Sequence, residues 1–302
     1  MFMKRTLTIK GVAFQHVSSG RYNPVAVYQR GRQYLRIGPR RKIAQLLAIH
    51  RTLADANFPV PRLIASGTRG GQAYYIETSL GEKHFGELFA EDYAKTGRIS
   101  NTHFARFLAI TKRFANAQFT TAAPHGGFPQ FEKGIHADCI LEELPRLTAR
   151  TRKALARARE RLRELPFALT HGDFNAWNIY PKGVIDFESH FRGPFGYDLA
   201  ANVIQPKFFP RGKQTEASRT YDFSDAQVNT YLAFMDALST RHALPKLSTH
   251  LNDFAFCRLI WSAARMERWP KLQAWRYRLF EKALGWYLRG DNVFEKIRRY
   301  ES

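Results

Sequence analysis

The stretch Leu169-Thr-His-Gly-Asp-Phe-Asn-Ala-Trp-Asn-Ile-Tyr180, followed after a turn by Gly183-Val-Ile-Asp-Phe-Glu188, decides how this chain of 302 residues is read. An apolar strand, Phe167 to Thr170, delivers His171, Gly172 and Asp173 into a polar loop. Asn178 stands five residues on, and a hydrophobic hairpin turns around Pro181, Lys182 and Gly183. The returning strand ends with Asp186. Two short antiparallel strands flanking a polar loop can bring Asp173, Asn178 and Asp186 to one edge. There, one carboxylate can accept a hydroxyl proton while other oxygens hold Mg2+ on phosphates, as phosphoryl transfer requires.

Upstream, residues 8 to 80 read mainly as strands. Ala13 to Val17 alternates, Ser18 to Asn23 reads as a turn, and Pro24 to Tyr28 and Gln33 to Ile37 are β-rich. From Lys42 to Ala56 the apolar residues Ile43, Leu46, Leu47, Ile49 and Leu53 fall at helical spacing. Phe58-Pro-Val-Pro61 stops that helix, since proline disfavours helix in the residue before it. Two more strands are expected at Arg62 to Ala65 and Gln72 to Glu77. Beyond Leu80 the pattern turns helical, at His103 to Phe119, at Thr148 to Leu165, and in three aromatic-rich helices from Ser224 to Arg299. The expected class is α+β: a small antiparallel β-rich lobe over 1–80 and a larger helical lobe over 81–302, joined near residues 78 to 86.

The pattern His-Gly-Asp-x4-Asn followed by Ile-Asp-Phe-Glu resembles the signature of the aminoglycoside phosphotransferase and choline kinase family, relatives of protein kinases. The resemblance covers about residues 13 to 200 and is sharp in its last thirty. It implies a two-lobed protein-kinase-like fold that uses ATP and Mg2+. It implies Asp173 as catalytic base, Asn178 and Asp186 as Mg2+ ligands, and His171 as an organiser of the loop. Asp198, at the expected helix start after Gly193-Pro-Phe-Gly-Tyr197, would anchor that loop through backbone N–H groups. Ser18 to Asn23, with Ser19 and Gly20, sits where a phosphate-covering loop belongs. Tyr75 to Gly81, with Glu77, lies where the family's hinge holds adenine.

Two positions depart from the family pattern. Arg36 stands where a strand lysine grips the nucleotide phosphates. The following helix has no acid between Gly38 and Ala54, which leaves Gln45 at the place of the lysine's glutamate partner. A guanidinium still binds phosphate oxygens but differs in shape from a lysine ammonium.

Lys and Arg number 47 against 26 acids, a formal charge of +21 with a pI near 10.2. So large a surplus attracts anions and argues against a cationic acceptor. The acceptor hydroxyl is expected on a neutral or anionic small molecule or glycan, sugar-like; Phe254, Trp261, Arg265, Trp269, Trp275 and Tyr277 could line its site, but an aromatic stripe at helical spacing is more often core. An alternative is a catalytically weak or inactive nucleotide-binding module. It would dock on nucleic acid or an anionic membrane surface through Arg40 to Lys42 and the run Arg146 to Arg163. No apolar run approaches the roughly 20 residues that span a bilayer, and no signal peptide is read at the start. Two cysteines, Cys139 and Cys257, fit a reducing compartment, so the cytoplasm is expected. Walker A, dinucleotide-binding and His-Glu-x-x-His patterns are absent.

Overall fold

Alternating apolar residues at the front of the chain pair into one antiparallel sheet in a computed structural model that describes residues 5–19, 24–123 and 127–300. Its strands are β1 (Thr6–Ile9), β2 (Val12–Ser19), β3 (Ala26–Arg30), β4 (Gln33–Gly38), β5 (Leu63–Arg69) and β6 (Gln72–Thr78), in the order β1-β2-β3-β4-β6-β5. Helix α1 (Arg40–Asp55) crosses from β4 to β5. One face of the sheet buries Phe14, Tyr28, Leu35 and Tyr74, while Val25, Ile43 of α1 and Tyr75 form a second small core. Helix α1 ends before the prolines act. Asn57 takes a left-handed conformation and the Phe58 N–H reaches back to the Leu53 carbonyl, a Schellman-type stop.

The rest is mainly helical: α2 (Phe85–Thr96), α3 (Asn101–Thr120), α4 (Phe128–Gly134), α5 (Ala137–Glu143) and α6 (Thr148–Leu162). Then come β7 (Phe167–Thr170), β8 (Ile179–Tyr180), β9 (Gly183–Val184) and β10 (Phe191–Pro194). Helices α7 (Tyr197–Ile204), α8 (Asp225–Arg241), α9 (Leu251–Ala263), α10 (Pro270–Arg289) and α11 (Val293–Arg298) complete the chain. The sequence reading marked neither α2 nor the seven-residue helices α4 and α5. It also read three helices where α8 to α11 stand.

A large aromatic core fills this helical part. Phe114 of α3 stacks on Phe174 of the catalytic loop at 4.0 Å between ring centroids and meets Phe58 edge-on at 5.3 Å. Among the described residues, no helix is long and apolar enough to cross a membrane.

The basic run on α6 serves packing. Arg146 binds Glu281 through both Nη atoms at 2.7 Å, Arg159 binds Glu132 at 2.7 Å, and Arg161 binds Asp253 at 2.9 Å. Arg157 donates to the Tyr287 carbonyl and Arg163 pairs with Glu160. Arg157, Arg159 and Arg161 fasten α6 to its neighbours, Arg146 adds a bond from the turn before it and Arg163 pairs within the segment, so these five arginines do not form an unengaged basic face.

Phe114→Ala should cost about 3–5 kcal/mol of stability, because the lost ring leaves a cavity between α3 and the catalytic loop. Urea unfolding monitored by circular dichroism measures it.

Candidate active site

Strand β7 pairs antiparallel with β10, Phe167 opposite Pro194 and Thr170 opposite Phe191, and so points residues 171–173 into the cleft between sheet and helices. The turn that follows needs glycine. Gly172 has φ of +80°, and a Cβ there would lie 2.1 Å from the Ser189 carbonyl oxygen. Asp198, fully buried at the start of α7, closes the turn. Its carboxylate accepts from the His171 N–H at 2.7 Å, the Gly172 N–H at 3.2 Å and Gln118 Nε2 of α3 at 2.8 Å. This is the anchoring the sequence suggested. Burial, only partly offset by His171 and those N–H groups, holds the Asp198 carboxyl above the usual range.

His171 organises the loop. Its Nδ1 accepts from the Asp173 N–H at 3.2 Å, which leaves Nε2 to donate to the Ile185 carbonyl at 2.7 Å. Burial lowers its pKa, so the imidazole is a neutral brace with both nitrogens engaged.

Asp173 is held from three sides. Its Oδ1 accepts from Arg258 Nη2 at 2.8 Å and Asn175 Nδ2 at 2.9 Å, and its Oδ2 accepts from Asn178 Nδ2 at 3.2 Å. Arg258 of α9 is fully buried. It also donates to the Gly172 carbonyl, binds Gln205 Oε1 through Nε and Nη2 at 3.1 Å, and stacks 3.8 Å over the Trp261 ring. The sequence reading missed this residue. The available signal was a lone cation inside the apolar run Phe254 to Trp261, because a buried arginine needs partners.

Across the cleft, β8 and β9 form the expected hairpin, and the Ile185 N–H donates to the Asn178 carbonyl at 3.0 Å. Asp186 follows in a left-handed conformation, φ of +66°. Burial first, then Glu188 and Asp173, push its carboxyl pKa up against the opposing pull of Arg36 and Lys42. Asn178 has turned its amide nitrogen to Asp173, so its oxygen is the end left for a cation. Among the described residues, no group of three or more His, Cys, Asp or Glu could hold a metal by itself. A hard oxygen set of Asn178 and Asp186, with surplus negative charge beside it, fits Mg2+ that draws its other ligands from phosphates and water.

Arg36 lies where β4 meets the cleft, but its partner is not the one expected. Arg36 Nε binds Glu77 Oε1 of β6 at 2.7 Å. Tyr34 faces Glu77 and Arg36 faces Tyr75 in the ladder, so Arg36 and Glu77 are diagonal neighbours on one face. Gln45 is exposed on α1, whose inward stripe is Ile43, His50 and Leu53 with Leu46 and Leu47 beside it. The acid that balances the strand cation therefore comes from the sheet and not from the helix. Burial opposes the guanidinium's charge, yet Glu77, Tyr75 and Asp186 outweigh it and hold the Arg36 pKa above its ordinary value. Lys42 of α1 reaches Glu188 at 2.7 Å, a second link between α1 and the segment after Asp186.

Arg36, Glu77, Asp186 and Glu188 line one wall of a cleft of about 1040 Å³, with Val25 and the hinge residues Thr78 to Gly81 around the rest. Ser19 ends β2, whereas Gly20 and the loop to Asn23 lie outside the described residues. Of the residues expected to meet the acceptor, Phe254 and Trp275 are core, Trp261 is covered by Arg258, and Tyr277 donates to Glu143 at 2.6 Å. Arg265 is exposed, its N–H on Glu143. Trp269, 41% exposed, does line a cleft, together with the catalytic-loop residue Trp177.

Two substitutions probe this arrangement. A carboxyl whose folded pKa is raised contributes stability that is full below its unfolded value, about 3.9, and lost as pH rises through the folded value. Asp186→Asn should therefore stabilise the nucleotide-free protein at pH 7, by about 2–4 °C in Tm for each kcal/mol recovered. That gain should vanish as the pH falls towards 4; thermal melts across pH test it. Arg258→Met should cost about 3 kcal/mol or more by stranding a partly buried Asp173, and Arg258→Lys should not restore the loss, since a compact ammonium cannot span the same acceptors. Chemical denaturation reads both.

The geometry has counterparts among known proteins. The model of the phosphotransferase enzyme family matches residues 14–238. A thermostable mutant of aminoglycoside phosphotransferase APH(4)-Ia in its apo form is similar over 92% of this chain and 94% of its own, at 15% identity and a TM-score of 0.54. Its kind is also seen in a ternary complex with AMP-PNP and hygromycin B, similar over 90% of this chain and 93% of its own, at 14% identity and a TM-score of 0.52. A choline/ethanolamine kinase family protein from Mesorhizobium loti aligns over 94% of this chain and 86% of its own, at 13% identity and a TM-score of 0.48. No curated protein matches the sequence. The likeness to the two aminoglycoside phosphotransferase structures bears on the fold, which is the two-lobed α+β kinase-like one. The family match spans well over half of the chain, which therefore belongs to the phosphotransferase enzyme family and is a kinase-like phosphotransferase acting on hydroxyl groups.

Proposed function

We propose that this protein moves the γ-phosphoryl group of ATP to a hydroxyl of a neutral or anionic, sugar-like small molecule or glycan. The observation that carries the reading is Asp173, fixed by Arg258, Asn175 and Asn178 and near enough to the buried carboxyl of Asp186 to help raise its pKa. A nucleotide analogue in the APH(4)-Ia ternary complex supports ATP as the donor. The net charge of +21 supports an acceptor without positive charge, because a cationic acceptor would meet an opposing field. Cys257 is buried and Cys139 half-buried, both as free thiols, which supports a cytoplasmic setting.

In this reading the adenine lies against residues 78–81 and Arg36 steadies the phosphates while Glu77 fixes its guanidinium. Asn178 and Asp186 would hold Mg2+, which neutralises phosphate charge when bound. Oδ2 of Asp173 has the lighter hydrogen-bond load and takes the acceptor's hydroxyl proton as the oxygen attacks in line. Arg258 and Asn175 keep the other carboxylate oxygen in place, so the base does not have to be ordered when the acceptor arrives.

Thermal shift and titration with ATP and Mg2+ test the reading. Nucleotide at a hundred times its Kd should stabilise the protein by about 2.7 kcal/mol, only with Mg2+ present, and Asp186→Ala should lose that effect. Asp173→Asn should abolish phosphoryl transfer and leave nucleotide affinity within about threefold, a change of under 1 kcal/mol. Wild-type turnover in that variant would overturn the assignment of the base.

A further inference from the structure

Two tryptophans stand out on the surface. Trp177 is 42% exposed and Trp269 is 41% exposed, although large aromatic rings normally gain by burial. They lie 92 residues apart in sequence, yet both line one cleft of about 410 Å³ in the helical lobe. That is within the usual size range of small-molecule sites. The Trp177 indole is packed in place and the backbone of Trp269 is tied down. Gly86 makes room for Trp177, since a Cβ at that position would lie 2.5 Å from the indole, and the His84 ring packs 4.9 Å away. Trp269 caps the start of α10, with its N–H on the Met266 carbonyl and its carbonyl taking the Gln273 N–H. The loop between them is pinned by Arg219, which donates to the Pro206 and Phe209 carbonyls and to Asp222.

The cleft borders the loop that carries Asp173. One wall, Trp177, belongs to the catalytic loop itself, between Asn175 and Asn178. Another, Gln205, shares a single nitrogen with the base: Arg258 Nη2 donates to Gln205 Oε1 at 3.1 Å and to Asp173 Oδ1 at 2.8 Å. With its oxygen engaged, the Gln205 amide keeps Nε2 as a donor. Ser218 and Thr220 add hydroxyls to the lining.

The charge around the cleft selects further. Among the described residues that line it there is no carboxylate, and Arg219 carries the only charge. Behind the wall, Arg276 is buried over the Phe209 ring at 4.7 Å, with hydrogen bonds to the Phe208 and Ser262 carbonyls. Burial, then Arg258 beside it, lowers its pKa to about 9, so it is still a cation at pH 7. A polycationic acceptor would find no counter-charge and a repelling wall here.

We infer that this cleft is the acceptor subsite, taking a neutral pyranose ring whose apolar C–H face lies on the indoles of Trp177 and Trp269 and whose hydroxyls meet Gln205, Ser218 and Thr220. Pyranose C–H groups carry partial positive charge, which suits the negative face of an aromatic ring. The inference rests on the phosphotransferase reading above and names the acceptor class for it. Trp269 acts by binding and not by chemistry, so it governs affinity for the acceptor.

The test is a tryptophan-fluorescence titration of the protein saturated with Mg2+ and AMP-PNP. The probes are the methyl glycosides of glucose, galactose, mannose and N-acetylglucosamine, with glucose 6-phosphate and kanamycin beside them. At least one neutral methyl glycoside should bind saturably, more tightly than glucose 6-phosphate, and kanamycin should give no saturable response. Trp269→Ala should weaken that glycoside by about tenfold or more, and Trp269→Phe should restore it to within about threefold, with AMP-PNP affinity unchanged in both. A wild-type protein that binds AMP-PNP but none of the glycosides overturns the subsite while leaving the kinase reading intact. So does glycoside binding indifferent to Trp269→Ala, or kanamycin binding that the same variant removes. Failure to bind AMP-PNP at all defeats both readings together.

Discussion

A fully buried carboxylate, Asp198, fixes the geometry on which the active site depends. Three donors converge on it, two from the backbone of the turn after β7 and one from the last turn of α3. Without these bonds the turn would have two orphaned N–H groups and a left-handed glycine with nothing to hold it. With them, the exit of β7, the helix α3 and the start of α7 become one rigid corner. His171 then carries the order across to Ile185, and the two halves of the site share a frame. Burying the carboxylate works against its charged form, so the corner is strong only because every donor is in place.

The cleft shows how stability is set against chemistry. Glu77 and Arg36 satisfy each other inside the sheet, so neither pays the full penalty of isolation. Asp186 has no such single partner, and Glu188 and Asp173 both raise the cost of its charge. A cation bound beside Asp186, as the proposed function requires, would relieve that cost. Arg258 supplies the opposite effect on the other side, a permanent cation that keeps Asp173 oriented whether or not the cleft is filled.

What could be read from sequence follows the range of each interaction. Asp173, Asn178 and Asp186 lie within fourteen positions and are brought together by a turn and a hairpin, both local devices with recognisable residues. Arg258 meets Asp173 across 85 positions and two helices, and a single arginine in an apolar helix does not say what it binds. The partner of Arg36 was misplaced for a related reason. A family pattern put it on α1, but helical phase turns Gln45 outward, whereas strand alternation puts Glu77 on the same face as Arg36. The short helices α4 and α5, at seven residues each, are too brief for periodicity to appear. Helix α2 starts from a His84–Glu87 capping box, and histidine is not among the usual capping residues. The aromatic stripe of α9 and α10 offered either core or binding face, and packing absorbed most of it: Phe254 and Trp275 are buried, and of its aromatics Trp269 is left exposed.

The hairpin of β8 and β9 is hydrogen-bonded to both sides of the cleft. Its Val184 N–H meets the Pro59 carbonyl at 2.7 Å and its Lys182 N–H meets the Leu80 carbonyl at 3.2 Å, while Asn178 at its root holds Asp173. Gly183 lets the backbones touch, since a Cβ there would be 2.0 Å from the Pro59 oxygen. The molecule is therefore bound like a book along this spine. Any rotation of the sheet about this spine would displace most the strands farthest from it, β1 to β3, and least the loop and hairpin that carry Asp173 and Asp186. The two carboxylates therefore share one frame whatever the rest of the sheet does.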